Sequence, residues 1–277
     1  MSNTPANWYP DPMGRHELRY WDGARWTEHV STSGQTAIDH LDGAQPVALN
    51  TSAQKIQEQV QTGGARGAGI AQPSGPGGGT IFTEPILVVN QKAKILEVTN
   101  QYAVFDQGGR QIASVTQVGQ SAAKKVLRVL TSLDQFMTHK LEIRDADGQV
   151  QLLITRPAKV FKSTVVVESA AGQEIGRIVQ DNVFGKIHFS LEANGQTLGS
   201  INAENWRAWN FRIEDAAGTE VARITKTFEG IAKTLFTTAD NYVVQIHAQL
   251  PQPFLSLVVA SALSVDTALK QDSRGLG

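Results

Sequence analysis

The amino-acid sequence predicts a mainly β protein: a closed antiparallel barrel of about twelve strands around a buried C-terminal hydrophobic helix, preceded by a small N-terminal β module. Three observations predict it. Five stretches between residues 102 and 224 share one hairpin style. The most apolar run of the chain, PFLSLVVASALSVDTALKQ at residues 253–271, comes last, and its apolar part, residues 254–265, is short for a bilayer span. Three of the five tryptophans crowd into the first 30 residues, ahead of a glycine-rich stretch.

The first element is NWYPDPMGRHELRYWDGARWTEHV, residues 7–30, with Trp8, Trp21 and Trp26. Trp-Asp-Gly at residues 21–23 is a turn signal between two aromatic-rich runs. So short a segment cannot build a deep core, so a three-strand sheet stacked on its own rings is expected. The segment resembles a short tryptophan-rich module of unknown function at the N-termini of many actinobacterial proteins. The matching residues are Trp8, Tyr9, Pro10, Asp11, Pro12, Gly14, Arg19, Tyr20, Trp21, Asp22, Gly23 and Trp26. It reads either as a self-contained folding unit or as a docking module for a protein partner or a membrane surface.

Residues 31–79 read as a flexible linker, ending in GGARGAGIAQPSGPGGG, with one short helix at AQKIQEQVQ, residues 53–61. Residues 80–271 read as the folded body. YAVFDQGGRQIASV, LEIRDADGQVQLLI, VVVESAAGQEIGRI, FSLEANGQTLGSI and FRIEDAAGTEVARI each pair two alternating strands through a short turn. Four share G-x-x-[ILV]-[AG]-x-[IV], anchored at Gly109, Gly172, Gly195 and Gly218, and the hairpin at Gly148 follows loosely. These glycines suit turn positions with φ > 0 and cradle no phosphate, because no helix follows them. Strands at EPILVVNQ and NYVVQIHAQ bring the count to about twelve.

A barrel of that size encloses a lumen about one helix wide. The terminal run, read as a helix over residues 253–270, suits it. Proline is tolerated in a first turn. Ser256, Ala260, Ser264 and Ala268 step by four and make a stripe of small residues. Phe254, Leu255, Leu257, Val258, Val259, Leu263, Val265 and Leu269 cover most of the remaining circumference, and Ser261 belongs to the same plug. The apolar part covers residues 254–265, with three serines, and Asp266 closes it. A plug is the first reading; the stripe of small residues also suits helix packing in a membrane.

At this point the body resembles the phospholipid scramblase family and, more broadly, the tubby-like barrels with a central helix. The likeness rests on FMTHKLEIRDADGQVQLLITRP, on GRIVQ followed by KIHFSLEANGQTLGSI, on VARITKTFEGIAKTLFTTADNYVVQI, and on the hydrophobic C-terminal helix. It covers residues 80–271. The resemblance implies calcium-stimulated, energy-independent movement of phospholipids between leaflets and, from related barrels, binding of phosphoinositide headgroups. It places calcium around Ala239, Asp240, Asn241 and Tyr242. Calcium takes six to eight oxygens. Thr238, Asp240 and Asn241 supply one hydroxyl, one carboxylate and one amide, which makes a weak candidate site beside the reading as an Asx turn; no cofactor is expected. The family's cysteine-rich palmitoylation stretch would fall on residues 119–132, which hold no cysteine.

That stretch carries Lys124, Lys125 and Arg128 among aliphatic residues, candidates for touching an anionic membrane surface or for a solvated edge. The net charge of −1 gives no pull toward nucleic acid. The six histidines make no metal spacing, G-x-S-x-G is absent, and Asp145 and Asp147 lack the closing ligands of a calcium loop, so no enzyme is expected. The N-terminus lacks a signal-peptide pattern, which points to the cytoplasm, peripheral to the inner face of the plasma membrane. The functional expectation is a non-catalytic, phospholipid-interacting barrel that facilitates or senses phospholipid. The alternative is a soluble scaffold that recruits a partner through its N-terminal module.

Overall fold

The computed structural model describes residues 5–12, 16–32, 34–38, 51–71, 75, 77–91, 101–118, 138–157, 163–182, 187–204, 210–227 and 241–272. The chain divides into two compact units, Met1–Gln45 and Pro46–Gly277.

The first unit is a four-stranded antiparallel meander: β1 (Asn7–Pro10), β2 (Leu18–Trp21), β3 (Trp26–Thr32) and β4 (Gln35–Ile38). The expected three strands gain a fourth because Gly34, at φ 78°, turns the chain back onto β3, pairing Thr32 with Gln35. Rings replace a deep core. Trp8 meets Tyr20 edge-on at 5.4 Å, and Trp21 meets Trp26 at 5.3 Å. Beneath them Arg19, with no exposed side chain, donates through Nε to Asp11 at 2.8 Å and through Nη1 to the Thr27 carbonyl.

The second unit is a closed barrel of twelve antiparallel strands. They are β5 (Ile86–Gln91), β6 (Gln101–Phe105), β7 (Gln111–Val118), β8 (His139–Asp145), β9 (Val150–Arg156), β10 (Thr164–Ser169), β11 (Glu174–Gln180), β12 (His188–Ala193), β13 (Gln196–Ala203), β14 (Asn210–Asp215), β15 (Glu220–Thr227) and β16 (Asn241–Ile246). Each pairs with its neighbours in sequence, and β16 closes on β5 with Val243 opposite Val88. The five predicted hairpins are β6–β7, β8–β9, β10–β11, β12–β13 and β14–β15. Four turn the same way. At 215–219 the Asp215 carboxylate accepts the Ala217 and Thr219 amides, and Gly218 takes φ 82°, where a side chain would be strained. The fifth, at Asn194-Gly195, holds both residues at positive φ, the two-residue turn that matches strand twist.

Helix α2 (Phe254–Asp272) is the plug. Residues 256–263 are buried without a break, so every face of more than two turns is covered. They share one core with inward residues of all twelve strands, among them Leu87, Tyr102, Val115, Ile143, Ile178, Leu191, Ile213 and Tyr242. Ser256 donates to the Gln252 side chain and Ser261 to the Val258 carbonyl, so buried hydroxyls are satisfied locally.

The stretch read as linker differs from expectation in its second half. Helix α1 (Ala53–Gln61), N-capped by Ser52, lays Ile56, Gln59 and Val60 against the barrel exterior. With Ile70 they cover Ile86, Val88, Ala103, Phe105 and Val243, the outward residues of β5, β6 and β16. The physical reason is that these strands are apolar on both faces, and a helix with one apolar face covers the outer one.

Candidate functional site

The strand order makes the two ends of the barrel different. One rim carries the five tight hairpins and the 247–253 link that feeds α2 into the lumen. From the other leave all six longer connections: 92–100, 119–138, 157–163, 181–187, 204–209 and 228–240. The two groups the sequence singled out for function, Lys124, Lys125 and Arg128 and then Thr238 and Asp240, belong to connections that begin and end on this second rim. Those five residues lie outside the described residues.

Asn241 is described. It opens β16, is buried, and its side-chain oxygen accepts the Gln91 amide at 3.3 Å. The amide oxygen of the candidate calcium set is therefore already engaged in joining two strands. A single carboxylate, Asp240, would remain, and the donor set does not fit calcium. Among the described residues no group of three His, Asp or Glu is placed to hold a metal.

Inside this rim the lumen turns polar. Gln91, Gln117, Arg156 and Gln180 end β5, β7, β9 and β11 at inward register positions and are buried. Lys226 of β15, opposite Tyr242 in the ladder, lies with its ammonium 5.9 Å from that ring. Toward the hairpin rim the lumen is apolar and receives Phe254, Leu257, Val258, Ala260, Ser261 and Leu263. Ser264, the last predicted plug residue, lies in α2 and its side chain is outside the described residues. Trp8, Trp21 and Trp26 are half-buried in the first unit; Trp8 packs on Tyr20, and Trp21 and Trp26 pack on each other.

On the outer face of the barrel, β12 to β15 present charge from the connection rim, at His188 and Glu204, to the hairpin end, at Glu214, Glu220 and His247. Glu204 accepts Arg223 Nη1 at 2.7 Å, and Glu220 accepts Arg223 Nη2 at 2.8 Å and faces His247 at 3.3 Å. Burial raises the Glu220 carboxyl, but hydrogen bonds from Arg223 and His247 outweigh it and hold it below its ordinary range. Burial likewise lowers Arg223, and its two carboxylate partners outweigh that and raise it. Arg212 stands more loosely, 3.5 Å from Glu214 and 3.7 Å from Glu204. His188 Nδ1 lies 2.5 Å from Asp181, which also accepts Ser190 Oγ. His188, Asn202, Glu204, Arg212 and Glu214, with Ile187 and Ala203, line a groove of about 460 Å³. The sequence reading singled out none of these polar residues; His188 entered it only as one of six histidines without metal spacing. Their signal was present in the alternation of FRIED, which turns Arg212 and Glu214 to one face and Phe211 and Ile213 to the other.

A family model described as Scramblase matches residues 70–269, which includes every strand of the barrel and most of the plug. The chain belongs to the Scramblase family. A second family model, for a protein of unknown function, DUF2510, matches residues 6–38 of this Scramblase-family chain, the four-stranded sheet. The chain is 23% identical over 221 residues to altered inheritance rate of mitochondria protein 25 of Saccharomyces cerevisiae, covering 66% of this chain and 64% of that protein. It is 20% identical over 185 residues to a phospholipid scramblase family protein of Schizosaccharomyces pombe, covering 60% and 47%. The chain thus spans about half to two thirds of the length of these relatives. A solved Arabidopsis thaliana protein aligns over 68% of this chain and 99% of its own, at TM-score 0.39 and 11% identity. Among the described residues of this family member, no helix is long and apolar enough to cross a membrane.

Proposed function

We propose that this Scramblase-family barrel works peripherally at a phospholipid surface, engaging headgroups at the rim of long connections without doing covalent chemistry on them. The observation that supports the reading is the family match across the whole barrel, residues 70–269. The fold is compatible with it: the apolar helix is occupied inside the barrel, so contact with lipid falls to the rim. Lys124, Lys125 and Arg128, with the aliphatic residues between them, supply the attraction to an anionic leaflet at the cytoplasmic face. Each cation contributes about 1 kcal/mol near such a surface.

Co-sedimentation with phosphatidylcholine vesicles, with and without phosphatidylserine, tests this at low salt. Binding that rises with phosphatidylserine and falls with salt is expected; no binding to either vesicle overturns the reading. Replacing Lys124, Lys125 and Arg128 together by alanine is expected to weaken the serine-lipid-dependent part by about a hundredfold. Binding is expected to be the same with calcium or chelator, because Asp240 is the one carboxylate of the candidate set. Dithionite quenching of leaflet-labelled vesicles then reads whether bound protein moves lipid between leaflets.

A further inference from the structure

The groove on the outer face of β12, β13 and β14, which runs from His188 and Glu204 at the connection rim to Glu214 toward the hairpin end, carries a second inference, which rests on the lipid reading and names the headgroup. Its volume, about 460 Å³, falls in the ordinary range of small-molecule sites. Its walls carry both signs of charge. Arg223 bonds Glu204 at 2.7 Å and Glu220 at 2.8 Å, so the oxygen that Glu204 turns to Arg223 is engaged. The pair without a short contact between its members is Arg212 and Glu214. Their 3.5 Å separation is longer than a hydrogen bond, and the Arg212 side chain is 46% exposed. Asn202 Nδ2 donates to the far oxygen of Glu214 at 3.1 Å and fixes that carboxylate in the wall.

A bare anion drawn to Arg212 would lie beside Glu214 and be repelled. A bare cation drawn to Glu214 would meet Arg212. A molecule with a phosphate at one end and an ammonium two carbons away satisfies both. It separates a loose ion pair and gives each member a charged hydrogen-bonding partner. Ile187 and Ala203 supply an apolar patch against which two methylenes can lie.

We propose that this groove binds a zwitterionic phosphoamine headgroup, its phosphate on Arg212 and its ammonium on Glu214. The Ile187, His188, Ala203 and Glu204 end of the groove lies at the rim from which the connection carrying Lys124, Lys125 and Arg128 leaves. Anionic lipid then attracts the protein, and the groove selects a headgroup within the surface.

The test uses the full chain. Soluble glycerophosphoethanolamine is titrated while the His188 ring is followed by NMR, because that ring lines the groove without being assigned a ligand contact. Phosphate alone and ethanolamine alone are titrated in parallel. A saturable shift with the zwitterion, at least tenfold tighter than with either half, is expected. Equal affinity for phosphate alone makes the groove an anion site and overturns the proposal, as does no shift with any of the three. Vesicles of phosphatidylcholine with and without phosphatidylethanolamine form the second arm, against wild type, Arg212→Gln and Glu214→Gln. Each variant is expected to lose about tenfold of the ethanolamine-dependent binding while keeping its response to phosphatidylserine. Vesicle binding that ignores both substitutions overturns the groove and leaves the lipid reading standing. A zwitterion shift with no vesicle binding overturns the lipid reading and leaves the groove as a site for soluble phosphoamines. Thermal midpoints check that both variants fold, and the wild-type titration needs neither of them.

Discussion

Gly199 lies in the middle of a strand and faces the plug. A Cβ built there would approach Phe254 Cζ at 2.8 Å and collide with the Glu214 carbonyl, and one at Gly176 would approach Leu257 Cδ1 at 3.2 Å. These two glycines occupy the [AG] position of the hairpin repeat. At the other two copies that position is Ala113 and Ala222, both in the core cluster. A small residue therefore recurs where the strands make room for α2. Gly199→Leu is expected to destabilise by about 1–3 kcal/mol, the usual cost of overpacking, read as a lowered thermal midpoint. A substitution at exposed Ala216 is the control, and equal midpoints would mean the helix does not press on β13. Glu220 gives a second residue-scale prediction. Its folded carboxyl lies below its ordinary range, so its contribution is present above that range and is lost as pH falls through the folded value. Arg223→Gln is expected to remove part of the stability at neutral pH and to flatten the acid limb of the midpoint-against-pH curve. An unchanged acid limb would assign the acid sensitivity to other carboxylates.

At the scale of elements, the hairpins and the plug were legible because each carries its own signal: alternation, a turn residue, or an apolar run too short for lipid. Helix α1 was legible as a helix and not as part of the barrel. Its sequence, AQKIQEQVQ, has only Ile56 and Val60 as large apolar residues, little enough to pass for a linker. The matching signal lies far away, in ILVVNQ of β5, which is buried at every position and so needs cover on its outer face. Neither segment alone announces the pairing. A chain beginning at residue 46 keeps α1, and its barrel is expected to melt as the full chain does. A chain beginning at residue 80 loses Ile56, Val60 and Ile70 and bares Ile86, Val88, Phe105 and Val243. It is expected to aggregate or melt several degrees lower, since a contiguous apolar patch on a sheet face invites association. Ile56→Asp in the full chain separates loss of cover from loss of length; equal behaviour of all of these chains would make α1 dispensable.

For the molecule as a whole, the barrel has a direction. Its strands are six to eight residues long with one exception, so at the tilt of barrel strands its rims stand about 15–20 Å apart. That is about two Debye lengths at physiological salt, so charge on one rim is strongly screened at the other. The hairpin rim is built from turns that use their polar side chains internally, as Asp106, Asp145 and Asp215 each cap their own loop. The connection rim carries the His188 and Glu204 end of the charged groove and the inward polar ends of the strands. Sequence order alone fixed this polarity, because every short turn joins an even-numbered strand to the next and every long connection leaves an odd-numbered one. The groove's chemistry was not legible, because it forms across three strands whose separate charges look like ordinary solvated faces. The chain has no cysteine, so one introduced cysteine can carry one polarity-sensitive fluorophore. Thr138→Cys, exposed at the start of β8, places it on the connection rim; Ala171→Cys and Ala217→Cys place it on exposed hairpin turns. With phosphatidylserine-containing vesicles, the label at 138 is expected to brighten and shift to the blue, and the labels at 171 and 217 to stay as in buffer. Brightening at the hairpin turns with none at 138 would reverse the barrel's orientation on the membrane, and equal brightening at all three sites would mean that neither rim is preferred.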